Sequence, residues 1–221
     1  GNELYSKTKN IFPKVKVQNL YGQTENSPAA SSLLDEDALT KIGSVGKPLP
    51  KTHIQIVDEY GQPLRVGAVG EIAVKGPQVM LGYLRNEEET ARALRDGWLL
   101  SGDLGRFDDE RFLYIVDRKK DMILRGGENV YPIEVEEALY EMPEILEAAV
   151  VGIPHEIYGE VPKAYVVLKE GVALTDDDII AHCKTRLASY KVPAVIEYLN
   201  ELPRNASGKV LKHTLRPTAT N

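Results

Sequence analysis

The chain has 221 residues, enough for one large domain or two modest ones, and its 43% hydrophobic content can form a core. A net charge of −6 argues against a nucleic-acid partner, which would need a basic face. One cysteine, Cys183, excludes an internal disulfide and fits a reducing compartment; with no bilayer-length apolar run and no signal peptide, the expectation is a cytoplasmic protein without a transmembrane segment.

From Leu4 to Leu20 charge and apolar residues mix, predicting a helix end and then a short strand at Val15-Lys16-Val17 that runs into Tyr21. Between Gly43 and Val116 the texture is β, with strands at Ile54–Val57, Gly70–Val74 and Phe112–Val116 separated by Gly and Pro turns. One helix interrupts: Asn86 is placed to cap it, with Glu89 three residues on as a reciprocal carboxylate. Beyond Asp117 helices and strands mix. Pro132 suits a first helical turn, and Val135, Ala138, Leu139 and Met142 recur on one face. Ala148–Ile153, Ala164–Leu168 and Val195–Leu199 read as strands. Thr175 followed by three aspartates opens a helix whose buried stripe is Ile179, Ile180, Cys183 and Leu187. The charged stretch from Arg118 to Asp121 sits where the texture changes, as a surface turn or a hinge. The expected domains are residues 1–118 and 119–221.

Five short motifs occur in order: Tyr21-Gly22-Gln23-Thr24-Glu25, Ser101-Gly102-Asp103, Asp117-Arg118-Lys119-Lys120-Asp121-Met122-Ile123, Gly126-Gly127-Glu128-Asn129-Val130-Tyr131-Pro132 and Ser207-Gly208-Lys209. In that order, over essentially Leu20 to Leu215, the chain resembles the adenylate-forming (AMP-binding) superfamily of acyl-CoA synthetases, peptide-synthetase adenylation domains and luciferases. The resemblance implies α/β and α+β architecture: the β-rich C-terminal end of a large AMP-binding domain, then a small mobile α+β domain. It also implies a fragment, because the chain opens at Gly1 without methionine and shows no Gly/Ser/Thr-rich phosphate loop.

The implied reaction joins a carboxylate to the α-phosphate of ATP, releasing pyrophosphate, and then transfers the acyl group to a thiol such as that of coenzyme A. Charge gathers at phosphorus, which calls for a divalent metal, fixed donors and a cation. Tyr21 offers an aromatic face to adenine, and Gly22 lets the backbone pass close to a ligand. Thr24 offers a hydroxyl to phosphate oxygens, and Glu25 is a hard oxygen ligand for Mg²⁺. Asp103 can accept both ribose hydroxyls, with Arg118 as a second ribose contact. The plainer readings are a strand-end turn for Tyr21-Gly22, a turn aspartate and a surface arginine. Ile115 either pads the adenine or lies in the core. By resemblance, Lys209 is the adenylation lysine, Lys120 the position about which the small domain rotates, and Gly126 and Gly127 the lining of a coenzyme A tunnel. Arg125 stands where a small residue is more usual.

Histidines 53, 155, 182 and 213 show no metal-ligand spacing. Asp117–Ile123 and the Gly-Gly-Glu-Asn run resemble acyl- and aryl-CoA ligases. Tyr21 to Pro28 resembles fatty-acid-activating members, which sets the expected substrate as a medium- or long-chain fatty acid. The alternatives are an aryl-acid ligase, a peptide-synthetase-type adenylation domain, or a module that is catalytically silent by itself. The chain alone is expected to release no pyrophosphate. Exposed strand edges at a torn domain would favour self-association.

Overall fold

The computed structural model describes residues 2–217. The chain divides into two units, Gly1–Lys119 and Lys120–Asn221.

The first unit opens with helix α1 (Asn2–Ile11) and strand β1 (Asn19–Tyr21). Residues 15–17 form no strand, because the Val17 N–H donates to the Asp35 carboxylate at 3.0 Å instead of to a neighbouring strand. Then come β2 (Ser31–Leu33), β3 (Ser44–Pro48), β4 (His53–Val57), β5 (Gly70–Lys75), α2 (Glu87–Ala93), β6 (Leu94–Arg95), β7 (Trp98–Phe107) and β8 (Leu113–Arg118). They make an eight-stranded antiparallel sheet in the order β1-β2-β3-β8-β7-β5-β4, with β6 paired to β7. Its core gathers Tyr21, Ala30, Ile56, Ile72, Val74, Phe107 and Leu113. Asn86 caps α2 by accepting the Glu89 N–H at 3.1 Å. The Glu89 side chain reaches forward to Arg92 at 3.4 Å, so the expected reciprocal bond is replaced by a pair one turn on.

Register places the candidate residues. Glu71 faces Leu104 and Ala73 faces Leu100, so Ser101–Asp103 bulge opposite Ile72. A bulge bends the strand and re-aims its side chains. Asp103 is thereby set directly opposite Arg118 on β8. Lys119 carries this ladder one step further, donating its N–H to the Gly102 carbonyl at 2.9 Å, which is why it stays with the first unit.

The second unit contains β9 (Ile123–Arg125), β10 (Glu128–Val130), α3 (Pro132–Tyr140), β11 (Ile145–His155), β12 (Gly159–Leu168), α4 (Asp176–Arg186), β13 (Val195–Tyr198) and α5 (Lys212–Leu215). The sheet runs β10-β9-β12-β11, with β13 parallel to β12. Along β11, Ala148 and Val150 turn to the helix side with Val135, Leu139, Ile179 and Cys183. Ala149 and Val151 turn to the other side with Tyr165, Leu202 and Leu215. Both faces are covered, so the strand reads as a continuous apolar run. Tyr165 donates its hydroxyl to the Leu215 carbonyl at 2.8 Å and ties down the C-terminal segment. β11 and β12 are longer than the apolar runs that announce them, because they close a hairpin through His155 and Gly159 whose ends are polar.

Candidate functional site

Tyr21 ends β1, where its carbonyl accepts from Ala30 at 2.7 Å. The ring packs into the first unit's core with 9% of its surface open, so stacking of an adenine is confined to that remainder. What Tyr21 presents is its hydroxyl, which donates to Asp103 Oδ2 at 2.9 Å. Burial, reinforced by the Asp103 charge, pushes the phenol well above its ordinary value, which keeps it a donor.

Arg118 Nε lies 3.5 Å from the other Asp103 oxygen, and the Asp103 N–H donates to Ser101 Oγ at 3.1 Å. Each carboxylate oxygen keeps a second lone pair, so Asp103 can still accept from a pair of neighbouring hydroxyls. Tyr21, Asp103 and Arg118, 97 positions apart at their extremes, are therefore one cluster. Ile115 faces Gly105 and packs against the core, half-buried, which favours its plainer reading.

Gly22 has a reason other than the one its motif suggests. A side chain there would meet the Pro28 carbonyl oxygen at 2.0 Å, so the close approach is to the chain's own backbone. Thr24–Asn26 forms a 3-10 turn whose Asn26 Oδ1 accepts from the Gln23 N–H at 2.9 Å. Thr24 is exposed on it. Glu25 Oε1 accepts from the Tyr83 hydroxyl at 2.9 Å, and the Glu25 carbonyl accepts from Met80 at 2.8 Å. Burial, then Glu25, raises the Tyr83 phenol, which stays a donor and leaves Oε2 for a ligand. Among the described residues no group of three or more His, Cys, Asp or Glu is placed to hold a metal. A single open carboxylate fits Mg²⁺ carried on nucleotide phosphates and does not fit a resident ion.

In the second unit Gly126 and Gly127 join β9 to β10 as a two-residue hairpin turn, both at positive φ. Gly126 donates to the Tyr158 carbonyl at 2.8 Å, while Arg125 donates to the Tyr190 carbonyl at 2.7 Å and lies over the Tyr158 ring. Arg125 thus anchors the turn. Lys209 sits on a turn built around Asn205, whose Oδ1 accepts from the N–H groups of Ser207 and Lys209 and from Ser207 Oγ at 3.1, 2.9 and 2.8 Å. Arg204 donates to the Gly208 carbonyl at 2.6 Å and pairs with Glu147. Lys209 is exposed, and its ammonium has no partner among the described residues. Lys120 is exposed too, and its carbonyl accepts from Arg216 at 2.9 Å.

Sequence reasoning missed Glu71, Tyr83, Asn205 and Arg216. Glu71 carried a signal, a lone carboxylate inside an apolar strand; Asn205 carried another, as an Asx-turn residue before Ser-Gly. Tyr83 and Arg216 carried none.

Two family models match the chain: AMP-binding enzyme over residues 1–84 and AMP-binding enzyme C-terminal domain over residues 134–209. A 2-succinylbenzoate–CoA ligase of Geobacillus kaustophilus is 46% identical over 202 residues, 91% of this chain and 41% of that protein. The chain belongs to the adenylate-forming superfamily, in its acyl-CoA synthetase family. A long-chain-fatty-acid–CoA ligase of Yersinia pestis is 44% identical, over 89% of the chain and 34% of that protein. Among solved structures, the o-succinylbenzoate CoA synthetase of Bacillus subtilis carrying its acyl-adenylate intermediate superposes with a TM-score of 0.87 at 41% identity, covering 96% of this chain and 43% of that one. The same synthetase with ATP and magnesium gives a TM-score of 0.86 at 41% identity, covering 97% and 44%. The adenylate-forming fold thus extends over this chain, which spans about two fifths of the relatives it matches. The name 2-succinylbenzoate–CoA ligase recurs among these relatives, beside the long-chain-fatty-acid–CoA ligase. No described helix is long and apolar enough to cross a membrane.

Proposed function

We propose that the chain serves an ATP-dependent acid–CoA ligase that activates an aryl carboxylic acid as its acyl-adenylate and passes the acyl group to coenzyme A. The observation that carries this reading is the Asp103 carboxylate, oriented by Tyr21 and Arg118 with lone pairs left for a ribose diol. The recurrence of 2-succinylbenzoate among the relatives' names supports the aryl acid.

In this reading Asp103 and Arg118 bind the ribose and Thr24 donates to a phosphate oxygen. Glu25, steadied by Tyr83, offers one oxygen to a magnesium ion that arrives with ATP and offsets phosphate charge. Lys209 brings a cation to the acid and the α-phosphate as pyrophosphate leaves. Lys120 is the pivot between the two steps, and the Gly126–Gly127 turn leaves room for the pantetheine arm. The test is acid-dependent ATP–pyrophosphate exchange by the full-length protein. Exchange with o-succinylbenzoate exceeding that with long-chain fatty acids supports the aryl reading. The reverse preference would move it to the fatty acids, which the Yersinia relative already represents. No exchange with any carboxylic acid overturns the ligase.

A further inference from the structure

Glu71 is a buried carboxylate, 7% exposed, in the middle of the first unit's sheet. A buried charge is costly unless it is paired and hydrogen-bonded. Both of its oxygens are engaged, and both partners bear on the candidate site. Oε1 accepts the Gly102 N–H at 3.0 Å, and Oε2 accepts from the Lys119 ammonium at 2.7 Å. The Lys119 N–H returns to the Gly102 carbonyl at 2.9 Å, closing a ring of three hydrogen bonds. Gly102 precedes Asp103 and holds φ +72, a conformation that disfavours any side chain. Lys119 follows Arg118 and is the last residue of the first unit. On its far side, the Lys120 carbonyl is held by Arg216 of the second unit's own C-terminal segment. The linkage between Lys119 and Lys120 is thus anchored separately at each end.

We propose that Glu71 is a positioning residue that couples occupancy of the Asp103–Arg118 site to the Lys119–Lys120 junction. A nucleoside sugar held by both Asp103 and Arg118 fastens the β7–β8 ladder where Gly102 and Lys119 pair. Glu71 transmits that fastening to the Lys119 side chain and confines the swivel to one linkage. The inference rests on the nucleotide reading of Asp103, whereas the ring of three bonds is observed independently of that reading.

The run Arg118-Lys119-Lys120 is a natural trypsin target, so the junction can be read without any turnover. Tryptic cleavage at this run is followed by mass spectrometry in the full-length protein, with and without AMP, while calorimetry measures AMP binding separately. Glu71→Gln keeps an acceptor for Gly102 and removes the ion pair, so apo cleavage should rise about tenfold. In the wild type, saturating AMP should slow cleavage about fivefold. In Glu71→Gln, AMP should still bind with an affinity within about threefold of wild type, yet protect no longer. Lys119→Met, read at the bonds after Arg118 and Lys120, should lose protection likewise. Equal apo cleavage in wild type and Glu71→Gln overturns the anchor. AMP that binds the wild type without protecting it, or protects Glu71→Gln equally, overturns the coupling alone. A wild type that binds no AMP overturns the nucleotide reading and the coupling with it.

Discussion

The Tyr21–Asp103 bond orients the carboxylate on which the ribose reading rests. Tyr21→Phe removes the donor and leaves Asp103 Oδ2 without its partner, a loss worth about 1–3 kcal/mol for a buried group. ATP affinity measured by calorimetry should fall about tenfold, with the fold retained; unchanged affinity would make the hydroxyl a packing detail. Asp103→Ala should weaken ATP more than Tyr21→Phe does, because it removes the acceptor itself. Gly22→Ala should act differently. Its Cβ would fall 2.0 Å from the Pro28 oxygen, so the first unit should lose stability even without a ligand. A lowered thermal midpoint in the nucleotide-free protein is the check. The sequence made Tyr21, Asp103 and Arg118 legible as motif members. It could not show that they touch, because their meeting depends on a strand bulge whose register is set by tertiary packing.

Elements announced by local chemistry were the readable ones. The helix at Asp176–Arg186 opens with Thr175 Oγ1 accepting the Asp178 N–H at 3.2 Å and the Thr175 N–H donating to the Asp178 carboxylate at 3.1 Å. Thr175→Ala should cost about 1 kcal/mol. That corresponds to about 4–8 °C in the midpoint of a domain of this size, measurable by circular dichroism. An unchanged midpoint would mean that helix packing alone fixes this end. The strand expected at residues 15–17 fails for the complementary reason: its apolar residues alternate, but Asp35 and not another strand takes the Val17 N–H. Lys209 belongs to this scale too. Asn205→Ala removes the acceptor that gathers Ser207 and Lys209, so the lysine would keep its charge and lose its placement. The adenylation rate should then fall with little change in ATP affinity; a loss confined to ATP affinity would assign Asn205 another role.

At the scale of the molecule, two units with separate cores follow one another along the chain, the first ending at Lys119 and the second beginning at Lys120. The change from β texture to mixed helix and strand set the expected boundary after residue 118, and the first unit runs one residue further, to Lys119, whose N–H donates to the Gly102 carbonyl. The anchors at that linkage were not legible, because Glu71 and Arg216 are distant in sequence from the junction they hold. Alkaline pH loads both units alike. Tyr21 and Tyr83 in the first, and Tyr198 in the second, carry phenols raised above 10.0 chiefly by burial, Tyr198 to about 12. Their folded values exceed the unfolded one, so their contribution is intact below pH 10 and is lost as pH rises through the raised values, about 12 for Tyr198. Stability by denaturant titration should therefore decline above pH 10, with the part of the tyrosinate absorbance that belongs to these three phenols withheld until the fold is lost. Tyrosinate that appears fully at pH 10 in a folded protein would contradict the burial of these rings.

The most direct measurement is the separation of the two half-reactions in Lys209→Ala of the full-length protein. A cation placed at the acid and the α-phosphate matters while charge develops there and not afterwards. Acyl-adenylate formation, followed as acid-dependent pyrophosphate exchange, should fall by at least about a hundredfold, while thioester formation from supplied acyl-adenylate and coenzyme A stays within about threefold of wild type. Equal losses in both half-reactions, or exchange at the wild-type rate, would contradict the assignment of Lys209 and the two-step, two-unit ligase built on it.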